Sequence, residues 1–186
     1  MNILWDFDGT IFDTYPVYTD IVYQVMYQNV GKTEIYRNLK KSFSHTIDFY
    51  QLSKSQVSEI NRLEKLVQPS DTKPFNGVKS ILQQANKNVI MTHKDFAGTK
   101  AILDAHGYGH YFSDIVTIDD GFPRKPDTAA YEYLHNKHHI DLAIGDRDID
   151  LIPAQKLGIK TCMFQGESQV ADFCLPDYQQ FDLVKI

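Results

Sequence analysis

Five short apolar runs punctuate the chain at 2–5, 88–91, 115–118, 142–144 and 159–164, and helical repeats fill the intervals between the later ones. Runs of this length, closed by polar residues, suit strands buried on both faces of a sheet. Val78, Ile81, Leu82 and Ala85 share one helical face, ended by Asn86-Lys87-Asn88. Ala101, Ile102 and Ala105 share another, closed by Gly107; Ala129, Ala130, Tyr133 and Leu134 share a third; Ile152, Gln155 and Lys156 belong to a fourth, stopped by Gly158. Strand–helix alternation of this kind predicts an α/β fold with a parallel sheet and right-handed crossovers.

Residues 14–73 break the alternation. They hold no strand pattern; Val17, Ile21 and Val25 recur every four residues, and Val22 and Met26 widen the same face. Ser53-Lys54-Ser55-Gln56 is a capping-box pattern ahead of Val57, Ile60, Leu63 and Val67. This stretch reads as a helical insertion, with hinges at Asp13–Pro16 and Gln68–Pro74.

A length of 186 residues allows one domain with a modest insertion. With 42% apolar and 23% charged residues, a packed core is expected and disorder is not. A net charge of −5 offers no basic footprint for nucleic acid. No apolar stretch reaches the ~18 residues needed to span a bilayer, and the N-terminus lacks the basic and long apolar regions of a signal peptide. A cytoplasmic, monomeric protein is the expectation. Cys162 and Cys174 lie in apolar, strand-like contexts and read as buried free thiols. His135, His138 and His139, and the pair His106 and His110, read as surface loop residues rather than metal ligands.

The chemistry-bearing residues follow the strands. Asn2–Trp5 runs into Asp6-Phe7-Asp8-Gly9-Thr10. Residues i and i+2 of a strand share a face roughly 6–7 Å apart, and two carboxylates so placed repel unless a cation lies between them. A hard divalent ion such as Mg²⁺ would suit the oxygen ligands; one carboxylate could then attack phosphorus while the other handles a proton. Val89-Ile90-Met91-Thr92 ends a second strand on a hydroxyl, Arg124-Lys125-Pro126 precedes a helix, and Ile144-Gly145-Asp146-Arg147-Asp148-Ile149-Asp150 ends another strand on carboxylates. Ligands of open α/β sheets sit beyond the carboxyl ends of the strands, where all four segments fall.

Taken in order, these four segments resemble the four motifs of the haloacid dehalogenase-like hydrolase superfamily, and the likeness covers the whole chain. It looks nearest to the phosphoglycolate-phosphatase-like branch. The resemblance implies a Rossmann-like catalytic core of residues 1–13 and 74–186, and a small helical cap of residues 14–73. It also implies a Mg²⁺-dependent phosphatase of a small phosphorylated metabolite. Asp6 would be the nucleophile forming an aspartyl-phosphate, and Asp8 the acid and then the base. Thr92 and Lys125 would bind the phosphoryl group, with the loop at His93 also lining it. Asp6, Asp146 and Asp150 would hold the metal, with the Asp8 backbone carbonyl. Dehalogenases of the superfamily lack the second aspartate, so Asp8 points to phosphoryl transfer. In the cap, Lys41 and His45 are candidate substrate residues. Two alternatives share these motifs: a phosphosugar mutase resembling β-phosphoglucomutase, and a protein that binds a phosphometabolite without turnover.

Overall fold

The computed structural model describes residues 1–27 and 29–184. In chain order the elements are β1 (Asn2–Trp5), β2 (Phe12–Asp13), α1 (Tyr15–Val25), α2 (Lys32–Lys41), α3 (Phe43–Tyr50), α4 (Lys54–Glu64), β3 (Lys73–Pro74), α5 (Val78–Gln84), β4 (Lys87–Met91), α6 (Phe96–His106), β5 (Phe112–Val116), α7 (Ala129–His138), β6 (Leu142–Gly145), α8 (Asp148–Lys156), β7 (Lys160–Phe164) and β8 (Phe173–Leu175). They group into two compact units, Met1–Phe12 with Pro74–Ile186, and Asp13–Lys73. Among the described residues, no helix is long and apolar enough to cross a membrane.

The first unit is built on a six-stranded sheet in the order β5-β4-β1-β6-β7-β8. Every pairing in it is parallel. Side chains alternate between two cores, as the two-residue period of a strand requires. Ile3, Trp5, Ile90, Leu142, Ile144, Cys162 and Phe164 enter one cluster with Val78, Ile81, Leu82, Ile102 and Leu103 of α5 and α6. Leu4, Val89, Met91 and Ala143 enter the other with Ala130, Tyr131, Leu134 and Ala154 of α7 and α8. Burying each Leu, Ile or Val side chain contributes about 1.5–3 kcal/mol, and a sheet covered on both faces collects it from every position. The one polar residue inside β4, Asn88, accepts the Trp5 indole N–H at 2.9 Å and donates to the Leu82 carbonyl at 2.9 Å. The strand order turns at β1: β4 and β5 lie on one side of it, β6 to β8 on the other.

Four details differ from the sequence expectations. β5 begins at Phe112 and ends at Val116, because it is the edge strand and tolerates the polar Ser113 and Asp114. Ile118 belongs instead to a short 3₁₀ turn capped by Thr117. β8 adds an edge strand too short for a periodic signal. Its Cys174 is exposed, so only Cys162 is a buried thiol; burial pushes that thiol up to about 12. His138 is buried rather than in a surface loop, with Nε2 2.9 Å from Asp114 Oδ2 across to β5.

In the second unit α1, α2 and α4 bury Tyr15, Ile21, Val22, Val25, Ile35, Leu39 and Ile60 in a core of their own. Val17 and Met26 pack at its margin. Both hydrogen bonds of the Ser53 capping box are made: the Gln56 amide donates to Ser53 Oγ at 3.3 Å, and the Ser53 amide to Gln56 Oε1 at 3.0 Å.

Candidate active site

The carboxyl end of β1 is where the chain places its first functional side chain. The Asp6 amide donates to the Ile144 carbonyl at 2.9 Å, so the residue continues the pairing with β6 and its backbone is fixed to the sheet. Gly9 then turns the chain at φ +83°, a conformation side-chain-bearing residues seldom take. The turn brings Thr10 back, and its hydroxyl donates to Asp6 Oδ2 at 3.2 Å.

Lys125 reaches the same carboxylate from the loop before α7. Its Nζ lies 2.6 Å from Asp6 Oδ1 and 2.8 Å from Asp150 Oδ1, with all three side chains almost wholly buried. Tyr131, one turn into α7, donates its hydroxyl to the Asp150 carbonyl at 2.7 Å, tying α7 to the first turn of α8. Asp150 stands there because residue 145 is glycine: a Cβ on Gly145 would overlap the Asp150 Cβ. Asp146 follows directly from β6 and completes a buried group of three carboxylates whose ligand atoms all lie within 4.8 Å of one another. Asp148 is exposed and accepts from Ser168 Oγ at 2.6 Å, away from that group.

The charges are unbalanced. Three buried carboxylates face Lys125 and Arg147, whose Nε is 3.3 Å from Asp150 Oδ2 and 3.8 Å from Asp146 Oδ1. Burial, then the repulsion of Asp150, raises the Asp6 carboxyl to about 7 against the pull of Lys125 and Arg147. Lys125 is held charged, well above the usual lysine range, because Asp150 and Asp6 outweigh its burial. Asp150 is held below the ordinary carboxylate range by Lys125 and Arg147, again against burial. Buried charges left uncompensated are costly. A hard dication bound by Asp6, Asp146 and Asp150 would meet both the oxygen donor set and the surplus negative charge, so these residues fit Mg²⁺.

Thr92 and His93 follow β4. Thr92 is buried; its amide donates to the Val116 carbonyl at 2.9 Å, and its Oγ1 accepts the Lys94 amide at 3.1 Å. That leaves the hydroxyl proton as the group Thr92 can offer. His93 Nε2 accepts the Lys125 amide at 3.0 Å. Burial, then the nearby Lys125 and Arg124, depress the imidazole to about 4, so the ring is neutral, carries its proton on Nδ1, and ties the Lys125 loop to the Thr92 loop. Asp8 is only half-buried and lies outside the carboxylate group; Lys94 Nζ is 3.8 Å from its Oδ1.

The two remaining candidates lie in the helical unit. Lys41 is exposed at the end of α2. His45 is half-buried, with Nε2 3.1 Å from Asn38 Oδ1; Asn38 donates in turn to the Tyr50 hydroxyl at 3.1 Å. Sequence reasoning missed Thr10, Tyr131, Arg147 and Lys94. Three of these sit within, or two residues from, segments that were singled out, so their position was the available signal. Tyr131 carries no such mark, since a tyrosine on a helix facing a sheet reads as core.

The family of haloacid dehalogenase-like hydrolases matches residues 3–164. Phosphoglycolate phosphatase of Vibrio cholerae is 34% identical over 73 residues, covering 37% of this chain and 32% of the relative. Pyrophosphatase PpaX of Halalkalibacterium halodurans is 29% identical over 123 residues, covering 62% of this chain and 56% of the relative. The matches thus span about a third to just over half of these relatives' length. A crystal structure of a hydrolase from Streptococcus pneumoniae TIGR4 superimposes with a TM-score of 0.67 at 26% identity, covering 86% of this chain and 90% of that one.

Proposed function

Because the chain belongs to the haloacid dehalogenase-like hydrolases, we propose that it is a Mg²⁺-dependent phosphatase of a small phosphorylated metabolite, working through an aspartyl-phosphate on Asp6. The observation that carries this reading is Lys125 Nζ set between Asp6 and Asp150, at 2.6 and 2.8 Å, beside Asp146. One buried cation and an acidic, oxygen-lined cradle are what a phosphoryl group and a divalent ion need in order to meet a carboxylate nucleophile. The names of the two curated relatives, a phosphoglycolate phosphatase and a pyrophosphatase, agree with phosphoryl transfer and differ in substrate.

Phosphoryl transfer is mainly positioning and charge neutralisation. Asp6 is held at both oxygens, by Lys125 on Oδ1 and Thr10 on Oδ2, so its carboxylate is oriented before substrate arrives. It attacks phosphorus; the bond from phosphorus to the leaving oxygen breaks, and Asp8 gives that oxygen its proton. Asp8 then takes a proton from water as the water attacks phosphorus, the bond to Asp6 breaks, and inorganic phosphate leaves. Thr92 donates its hydroxyl to a phosphoryl oxygen, and Lys125 offsets charge as a compact cation. His93 keeps Lys125 in place through its amide. Asp6, Asp146 and Asp150, with the Asp8 backbone carbonyl, would hold a Mg²⁺ ion, which would neutralise charge on the phosphoryl oxygens. Residues 14–73 serve as the cap that selects substrate, with Lys41 and His45 as its candidate contacts.

The test is release of inorganic phosphate from p-nitrophenyl phosphate and a panel of phosphometabolites, with Mg²⁺ and with EDTA, by wild type and by Asp6→Asn. Metal-dependent release that vanishes in the variant is expected. A folded wild type that releases no phosphate, or an Asp6→Asn protein near wild-type rate, overturns the reading.

A further inference from the structure

Lys94 is built into the site and has no task in the chemistry above. It stands two residues beyond Thr92, between β4 and α6. Its amide donates to Thr92 Oγ1 at 3.1 Å, and its carbonyl accepts the Ile118 amide at 3.3 Å. Its stem runs over the first turn of α6, where a Cβ on Gly98 would come within 3.3 Å of Lys94 Cε; the glycine leaves the strip that the methylenes cover. The ammonium ends 3.8 Å from Asp8 Oδ1, with 11% of the side chain exposed. A surface lysine ordinarily keeps its head in water and its stem mobile. This one is fastened at backbone, stem and head.

The two lysines divide the two carboxylates. Lys125 touches Asp6, where phosphorus is bound; Lys94 touches Asp8, where the leaving oxygen departs. We propose that Lys94 determines specificity by binding an anionic group on the leaving-group side, so that the enzyme prefers phosphate esters or anhydrides whose departing fragment carries its own negative charge. The inference rests on the phosphatase reading, because the role of Asp8 defines the leaving-group side. A lysine ammonium is a point charge that imposes no bidentate geometry, so a carboxylate and a second phosphate both satisfy it. The shared requirement is an anion close to the ester oxygen.

The experiment compares kcat/KM, with Mg²⁺, within two matched pairs of primary alkyl esters: 2-phosphoglycolate against 2-hydroxyethyl phosphate, and ethane-1,2-diol bisphosphate against 2-methoxyethyl phosphate. Wild type, Lys94→Gln and Lys94→Arg are measured. The ratio within a pair does not depend on how much of a variant is folded. Wild type is expected to favour the charged member of at least one pair by roughly 10- to 100-fold, the range of a hydrogen bond to a charged group. The pair that shows the preference distinguishes carboxylate from phosphate. Lys94→Gln should collapse the preference, chiefly through KM, and Lys94→Arg should restore part of it. A wild type without preference overturns the proposal. So does a Gln variant that loses both members of each pair by one factor, which is what a lysine that only steadies Asp8 would produce. Hydrolysis of p-nitrophenyl phosphate with none of the four compounds turned over would overturn this inference alone; no phosphate released from any ester would remove the phosphatase reading and this inference with it.

Discussion

In the sheet-based unit the buried polar side chains include three carboxylates and a lysine packed against one another. Among the described residues of the helical unit those buried are neutral: Asn38, Thr14, Thr19, Thr46 and Thr72. Asn38 works as a local brace, linking His45, Tyr50 and the Glu34 carbonyl within 3.2 Å. Neutral hydrogen bonds of this kind contribute modestly and ask little of their surroundings. A buried ionic cluster is different: its net worth is small or negative, yet removing one member leaves an uncompensated charge. The helical unit is thus organised for stability of its own bundle. The sheet-based unit carries a charge imbalance that stability alone would not select.

The largest break in that comparison should come from Lys125→Met. Losing the cation between Asp6 and Asp150 is expected to cost about 3–5 kcal/mol, read by urea unfolding without metal, and to abolish turnover. A loss below about 1 kcal/mol, the range of an exposed pair, would mean that Lys125 is not the buried counter-charge described.

Gly145→Ala should come next. The added Cβ collides with Asp150, and forced overpacking of this kind costs about 1–3 kcal/mol. Displacing Asp150 should also weaken Mg²⁺ binding by about 10- to 100-fold, as disturbed metal surroundings do elsewhere. Calorimetric titration that finds unchanged affinity would detach Asp150 from the metal site.

Asp6→Asn sharpens the same contrast through pH. An acid whose folded value is raised, here to about 7 from an unfolded 3.8, binds more protons folded than unfolded between those values. Stability from this group is therefore present at low pH and lost as pH rises through about 7. The metal-free Asn variant should gain in melting temperature relative to wild type between pH 5 and pH 8. A difference that stays flat across that range contradicts the burial and repulsion assigned to Asp6.

The smallest effect belongs to the helical unit. Ser53→Ala removes an N-cap made in full and should cost about 1 kcal/mol, seen in thermal melts, with hydrolysis of p-nitrophenyl phosphate unchanged. A fall in that rate would tie the bundle to the chemistry.

The parallel core was legible because each inner strand is an apolar run and each crossover helix repeats its apolar face. Edge elements were less so: β8 is three residues long, and β5 admits Ser113 and Asp114. That Asp6, Thr92 and Asp146 share one end of the sheet was legible from their places just after apolar runs, and Lys125 from its place ahead of a helix. What the alternation of residue types could not convey is contact between loops. His93 reads as a residue beside Thr92, yet its imidazole holds the Lys125 amide. His138 reads as surface until Asp114 is found opposite it on β5.

The most direct test of the account is to quench the wild-type protein in acid while it turns over a phosphate ester labelled in the phosphoryl group, then map the label. The account predicts an acid-stable, hydroxylamine-labile label on the peptide carrying Asp6, absent from Asp6→Asn. Turnover with the label on another residue, or with none on Asp6 at any quench time while hydrolysis persists in Asp6→Asn, would contradict it.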